Sequence, residues 1–288
     1  MNNGVNSESA EQFSPIVTVC ICHYNRIDKL KHTIKSLREN TVEDFRLKIF
    51  NDGYMNNEIE EYLSILEHKP HISVTYSEKN VGPVAGRNSL LTNIDTPFVM
   101  TLDDDMYVDE NWLSNALDIF NSDKNIGFVG FKFSSTTDKS IVDTRSISIE
   151  DGVITLEHID LSKEPDGNKN SSYLSVDEVP TGAMIFREEA LQDFRFDPSY
   201  KIGFGDIDKT LQIRRSNWKQ AICLKNSFTH DKKTSSEEYS KGGRYSDIFH
   251  SYQYFTQKWE VRYPIKKHIK FKYIYKYYGM ICKIFNLL

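Results

Sequence analysis

Four short apolar runs rich in β-branched residues, separated by three stretches of helical periodicity, constrain the fold of this chain more than any other feature. Ile16 to Cys22 is nearly continuously apolar, as a strand buried on both faces requires. Ile27, Leu30, Ile34 and Leu37 then recur at helical spacing, with Asn25 or Asp28 available as the cap. Leu47 to Phe50 predicts a second strand, Ile59, Tyr62, Leu63 and Leu66 a second helix, and Ile72 to Tyr76 a third strand. Gly82 to Asn93 reads as a helix after a Gly-Pro turn, and Phe98 to Leu102 as a fourth strand. This βαβαβαβ order predicts an α/β fold, a mostly parallel central sheet flanked by helices. Ligands of such sheets bind at the carboxyl ends of the strands. Asn51-Asp52-Gly53 and Asp103-Asp104-Asp105 both fall there.

The aspartate triplet concentrates negative charge at a strand end. Carboxylates that close stay ionised only beside a cation or hydrogen-bond donors. Hard oxygen ligands on a rigid element suit Mg²⁺ or Mn²⁺ holding a diphosphate. The other reading is an acidic loop capping the next helix, since Asp109 precedes Trp112, Leu113, Ala116 and Leu117 at helical spacing.

The second half is less regular. Ile126 to Phe133 predicts a strand, 134–175 a polar insertion or β-ribbon, Asp206 to Asn217 a helix, and Ala221 to Leu224 a short strand. The expected organisation is a disordered N-terminus over 1–14, one catalytic domain over 15–235 made of two halves (15–105 and 106–235), and a C-terminal extension over 236–288. A hydrophobic content of 39% and a charged content of 27% are those of a soluble globular protein. The net charge of −5 argues against a nucleic-acid binder. Neither a signal-peptide core nor an apolar run long enough to span a bilayer is present, so a cytoplasmic location is expected. The four cysteines form no Cys-x-x-Cys pair and read as reduced apolar residues.

No Gly-x-Gly-x-x-Gly follows the first strand and no Gly-x-x-x-x-Gly-Lys-Ser/Thr occurs anywhere, which removes the usual dinucleotide and P-loop readings. Instead, Val17 to Asn25 with Arg26, Asn51-Asp52-Gly53, Asn80-Val81-Gly82 with Arg87, and Leu102-Asp103-Asp104-Asp105 follow one another in an order that resembles family 2 glycosyltransferases of the GT-A fold. Thr181-Gly182-Ala183-Met184-Ile185-Phe186-Arg187 resembles that family's acceptor-side segment, and Gly203-Phe204-Gly205-Asp206-Ile207-Asp208 its catalytic-base segment. The resemblance runs from Ile16 to His230. Asn51 stands where the family usually has an acid, and Gly205 where it commonly has Glu.

The resemblance implies an inverting transferase using a nucleotide sugar, with UDP the expected nucleotide and Mn²⁺ or Mg²⁺ the cofactor. His23, Asn25 and Arg26 lie in the segment that would contact the donor. Asp52 would accept a hydrogen bond from uracil, and Arg87 would reach the base or diphosphate. Asp103 would contact ribose or sugar, Asp105 would be the principal metal ligand, and Asp104 could substitute for either. His230 falls where the family often has a metal-binding histidine. Asp206 is the expected general base, with N-capping of its helix a compatible role, and Asp208 is the second candidate. Thr181, Gly182 and Trp112 are assigned to the acceptor side, although the spacing of Trp112 is equally explained by packing.

Gln212-Ile213-Arg214-Arg215 is followed by Ser216 rather than Trp, unlike the processive synthases of the family, which points to transfer of one sugar per encounter. The acceptor is expected to be a glycan, a lipid-linked molecule or a polypeptide, in bacterial surface-glycan synthesis. Competing classes are a sugar nucleotidyltransferase, which would show a Gly-rich phosphate loop near the first strand, and a catalytically silent sugar- or nucleotide-binding module. Near the C-terminus, Ile274, Tyr278, Ile281, Phe285 and Leu288 form one apolar helical stripe amid lysines and tyrosines. That composition suits peripheral contact with an anionic membrane, docking onto the catalytic domain, or self-association.

Overall fold

The computed structural model describes residues 13–136, 141–142, 144–161, 171–231 and 241–263. The first half alternates as its periodicity requires: β1 (Val17–His23), α1 (Ile27–Asn40), β2 (Phe45–Asn51), α2 (Asn57–Glu67), β3 (Ile72–Tyr76), α3 (Pro83–Leu90) and β4 (Phe98–Asp103). There follow β5 (Met106–Tyr107), α4 (Trp112–Ser122), β6 (Ile126–Ser135), β7 (Ile141–Val142), β8 (Thr144–Glu150), β9 (Val153–Ile159) and β10 (Tyr173–Val176). The last elements are β11 (Ala183–Arg187), a 3-10 turn (Glu188–Gln192), α5 (Gly205–Arg214), β12 (Lys219–His230) and α6 (Lys241–Trp259).

The main sheet runs β10-β12-β6-β11-β4-β1-β2-β3, with β5 beside β12 and β7 beside β6. β3, β2, β1 and β4 are parallel, as expected. Beyond them β11 runs antiparallel to both β4 and β6, while β6 and β12 are parallel to each other. Val17, Val19 and Ile21 of β1 point into a core with Leu30, Ile34 and Leu37 of α1 and with α2 and α4. On the other face Cys20 and Phe50 meet Leu90, Leu91 and the Phe186–Phe194 region. Each such fully buried aliphatic or aromatic side chain contributes about 1.5–3 kcal/mol.

Three capping expectations are corrected. Arg26, not Asn25 or Asp28, is the N-cap of α1, and it makes no side-chain cap because a guanidinium can only donate, which it does to buried carboxylates. Asn111 precedes α4 in a left-handed conformation, while the Asp109 side chain takes the amides of Glu110 and Ser227. Phe204 is the residue before α5, and Asp206 lies inside its first turn.

Within the expected insertion, β8 and β9 form a separate two-stranded ribbon. They are joined through Asp151 and Gly152, both at positive φ (49° and 71°), the geometry that an Asp-Gly hairpin turn supplies. Helix α6 and the residues that follow it pack against the ribbon and α5. Phe255, Val261 and Tyr263 pack with Ile147 and Ile154 of the ribbon and with Phe204, Ile207 and Leu211 at α5. Of the expected disordered N-terminus only Phe13 and Ser14 are described, and the apolar stripe from Ile274 to Leu288 lies outside the described residues.

Candidate active site

The parallel strands β1, β2 and β4 end at one edge, and their terminal residues make the site. After β2, Asp52 is buried, and its two carboxylate oxygens accept the amides of Val81 (2.6 Å) and Gly82 (3.0 Å). The turn at Gly53 needs that residue twice over. Its φ is +78°, and a Cβ there would lie 2.2 Å from the Lys79 backbone. Asp52 therefore fixes the 79–82 loop at the mouth of the site, and α3 starts from that loop.

The triplet divides into three different environments. Asp103, the last residue of β4, forms a close ion pair with Arg87 of α3. Burial, followed by the neighbouring Asp105 and Asp104, holds its carboxyl above the usual range despite Arg87. Asp104 turns inward: it accepts from Nδ1 of His23 at 3.0 Å and forms a close ion pair with Arg26. His23 is 1% exposed, so this member of the expected donor-contact set lies beneath the site. It shares the inward face of β1 with Val17, Val19 and Ile21, which explains its burial. Asn25 is half-buried in the β1–α1 turn, and Arg26 bridges Asp104 and Asp105, reaching the latter at 2.6 Å.

Asp105 meets His230. β5 pairs with the end of β12, placing Met106 against His230 and Tyr107 against Thr229, and the Asp231 amide donates to the Asp105 carbonyl at 2.9 Å. The Asp105 carboxylate consequently stands 3.6 Å from Nε2 of His230. Burial works against its charge, but His230 and Arg26 outweigh it and hold the carboxyl below the ordinary range. Among the described residues no cluster of three or more His, Cys, Asp or Glu side chains suits a metal. Mg²⁺-type ions are usually held by one or two carboxylates with the remainder from a diphosphate and water, and Asp105, with His230 beside it, is the residue placed to hold one.

On the other side of Asp103 runs 179–182. The Asp103 amide donates to the Gly182 carbonyl at 2.8 Å, and a Cβ on Gly182 would stand 2.7 Å from an Asp103 carboxylate oxygen. Thr181 donates through its hydroxyl (2.6 Å) and its amide (3.2 Å) to one oxygen of Asp206. Burial raises the Asp206 carboxyl, yet Lys209, the Thr181 hydroxyl, Arg145 and Arg87 together bring it below its ordinary value. The turn into α5 is left-handed at Gly203 (φ 74°) and at Phe204 (φ 61°), a costly conformation for Phe. The Phe204 ring packs against Phe255 (5.2 Å) and Tyr263 (5.6 Å), which holds that turn and so aims Asp206.

Asp208 is otherwise engaged. It is 1% exposed and accepts from Tyr200 (2.8 Å), Gln212 (2.7 Å), Trp259 (2.8 Å) and Lys258 (2.7 Å), so it fastens α6 to α5. Trp112 is a correction. It is fully buried against Phe131 and Phe228, its indole donating to Thr41 at 2.9 Å, and it lines no acceptor surface.

Sequence reasoning missed Lys209, Arg145 and Glu178, which gather around Asp206. Arg145 and Glu178 form a close ion pair, and both lie in or beside the polar insertion, where periodicity carries no placement. The signal that points to Lys209 is its i+3 spacing from Asp206, which puts the two charges on one side of α5.

This arrangement, parallel strands whose ends carry Asp52, the aspartate triplet and, across β11, a carboxylate on a helix, is that of a GT-A glycosyltransferase fold. A family model described as Glycosyl transferase family 2 matches residues 18–193, more than half of the chain. The chain belongs to that family. Among solved structures it is similar to GalNAc-T7 crystallised with UDP, GalNAc and Mn²⁺, with a TM-score of 0.61 and 12% identity, over 81% of this chain and 48% of that one. It is also similar to residues 1–349 of S. aureus TarS, with a TM-score of 0.55 and 12% identity, over 84% of this chain and 72% of the other. At these identities the likeness is one of fold, and the chain spans about half the length of the GalNAc-T7 structure. No curated protein matches the chain by sequence comparison.

Proposed function

We propose that this protein transfers a single hexosyl or N-acetylhexosaminyl unit, with inversion, from a UDP-linked donor to a hydroxyl of a glycan, lipid-linked or polypeptide acceptor. The observation that carries the reading is the meeting of Asp105 and His230 at the strand end, with Asp206 held across Thr181–Gly182 from Asp103. Asp105 and His230 would hold a divalent cation, which when bound neutralises the diphosphate and eases its departure. Arg87 and Arg26 add fixed positive charge on the donor side, and Asp103 is the contact to ribose or sugar. Asp52 is the carboxylate nearest the 79–82 loop and would meet the uracil ring while it fastens that loop.

Asp206 serves as the general base. It accepts the proton of the acceptor hydroxyl while that oxygen bonds to the anomeric carbon and the bond from that carbon to the diphosphate breaks. Its ionised form is favoured by the cations around it, so it is ready to accept a proton at neutral pH. Thr181 orients it. UDP and Mn²⁺ in the GalNAc-T7 structure support the choice of donor and cation.

The test is a screen of nucleotide sugars for Mn²⁺-dependent hydrolysis, read as released nucleotide. A preference for one UDP-sugar is expected, and turnover undiminished by chelation would overturn the metal assignment. No helix among the described residues is long and apolar enough to cross a membrane. The lysines and tyrosines of 264–288 support peripheral contact with an anionic leaflet. Vesicle binding that survives deletion of 265–288 would remove that part of the reading.

A further inference from the structure

Lys209 is fully buried in α5, where a lysine is almost never found without a charged partner. An unbranched apolar side chain such as Met would fill a similar volume without the desolvation cost of an ammonium group. Asp206, three residues earlier, lies on the same side of the helix. The two side chains grip the same piece of chain. Nζ of Lys209 donates to the Val179 carbonyl and approaches Sδ of Met184 at 3.5 Å, while Asp206 accepts both donors of Thr181. The next residue, Gly182, accepts from the amide of Asp103. One short segment thus links the donor carboxylate to Asp206, and α5 fastens it at two points.

The charges facing this pair come from every neighbouring element. Asp206 faces Lys209 within α5, Arg145 from β8 and Arg87 from α3. Lys209 faces Asp206, Glu178, Arg145 and Arg87, and Tyr263 beyond α6 faces Arg145 and Glu178. Arg145 is committed to Glu178 and Arg87 to Asp103. Of the cations, Lys209 acts most strongly on Asp206. Burial lowers the Lys209 ammonium to about 8, which leaves it charged at neutral pH.

We infer that Lys209 is a positioning residue: its buried ammonium fastens the Val179–Gly182 segment to α5 and sets a positive charge on the side of the helix that carries Asp206. The role rests on reading Asp206 as the general base. The test is a carbon-13 NMR titration of the Asp206 carboxyl in the full chain, assigned by the loss of its signal in Asp206→Asn. In the unaltered protein the midpoint lies below the ordinary carboxylate value. In Lys209→Met it moves up by about one pH unit, a tenfold change in the ionisation constant. Lys209→Gln keeps a donor for the Val179 carbonyl but loses the charge; it moves the midpoint as far and serves where the Met variant does not fold. The acid limb of kcat/KM shifts the same way, which a loss of packing alone would not produce. A midpoint unmoved in the folded variants, or already ordinary in the unaltered protein, overturns the inference. Turnover retained in Asp206→Asn would instead overturn the base assignment, whatever the titration shows.

Discussion

The carboxylate of Asp105 and the imidazole of His230 stand 3.6 Å apart, one from the turn after β4 and the other from the last residue of β12. Antiparallel pairing of β5 with β12 brings them together. Asp105→Ala is expected to lower Mn²⁺-dependent turnover by about 10²–10³-fold, the scale for losing a group that stabilises developing charge. His230→Ala should raise the Mn²⁺ concentration needed for half-maximal rate. A metal titration of nucleotide release reads both, and an unchanged Mn²⁺ requirement in His230→Ala would detach that residue from the site.

Asp206 and Asp208 are separated by mutation. Asp206→Asn keeps an acceptor for Thr181 and should lower kcat by about 10²–10⁴-fold in protein that still folds. Asp208→Ala should instead leave the buried donors of Tyr200 and Trp259 unsatisfied and cost about 1–3 kcal/mol of stability. Its acid limb of kcat/KM should stay in place. Urea unfolding and a pH–rate profile on both variants decide the matter.

Gly182→Ala adds a methyl group 2.7 Å from an Asp103 carboxylate oxygen. The carboxylate must move, disturbing its pair with Arg87. A cost of about 1–3 kcal/mol is expected from the overpacking, together with a higher KM for the nucleotide sugar. A KM unchanged from that of the unaltered protein would show that Asp103 does not touch the donor.

Asp197 ties the loop before α5 to α6. It accepts from Lys258 (2.7 Å), Tyr254 (2.8 Å) and the Ser199 amide (2.9 Å). Burial opposes its charge, but those donors bring its carboxyl from 3.8 down to about 2. The folded state therefore binds this proton more weakly than the unfolded chain does. The stabilisation it provides is complete above about pH 4 and is lost as pH falls towards 2. Asp197→Asn should be less stable at neutral pH and should lose less on acidification over that window, as monitored by circular dichroism at fixed temperature.

The parallel half of the sheet was legible in the residue pattern. Apolar β-branched runs that must be buried on both faces, alternating with helical stripes, leave no other economical packing, and the ends of β1, β2 and β4 follow from it. Motif order was enough for the family, and it put forward Asp52, Arg87, Asp103, Asp105, Asp206 and His230 as candidates. The different surroundings of the candidates come from tertiary contacts. Whether Asp104 faces the ligand or the core depends on which way a turn residue points, and only its contacts with His23 and Arg26 decide that. Asp206 and Asp208 share a helix and a charge, yet one meets Thr181 and the other meets α6, because α6 packs from a part of the chain whose local pattern says nothing about α5. Trp112 satisfies an apolar stripe and is core for that reason. Lys209 belongs to no apolar stripe, and only its burial and its bond to the Val179 carbonyl show what it does.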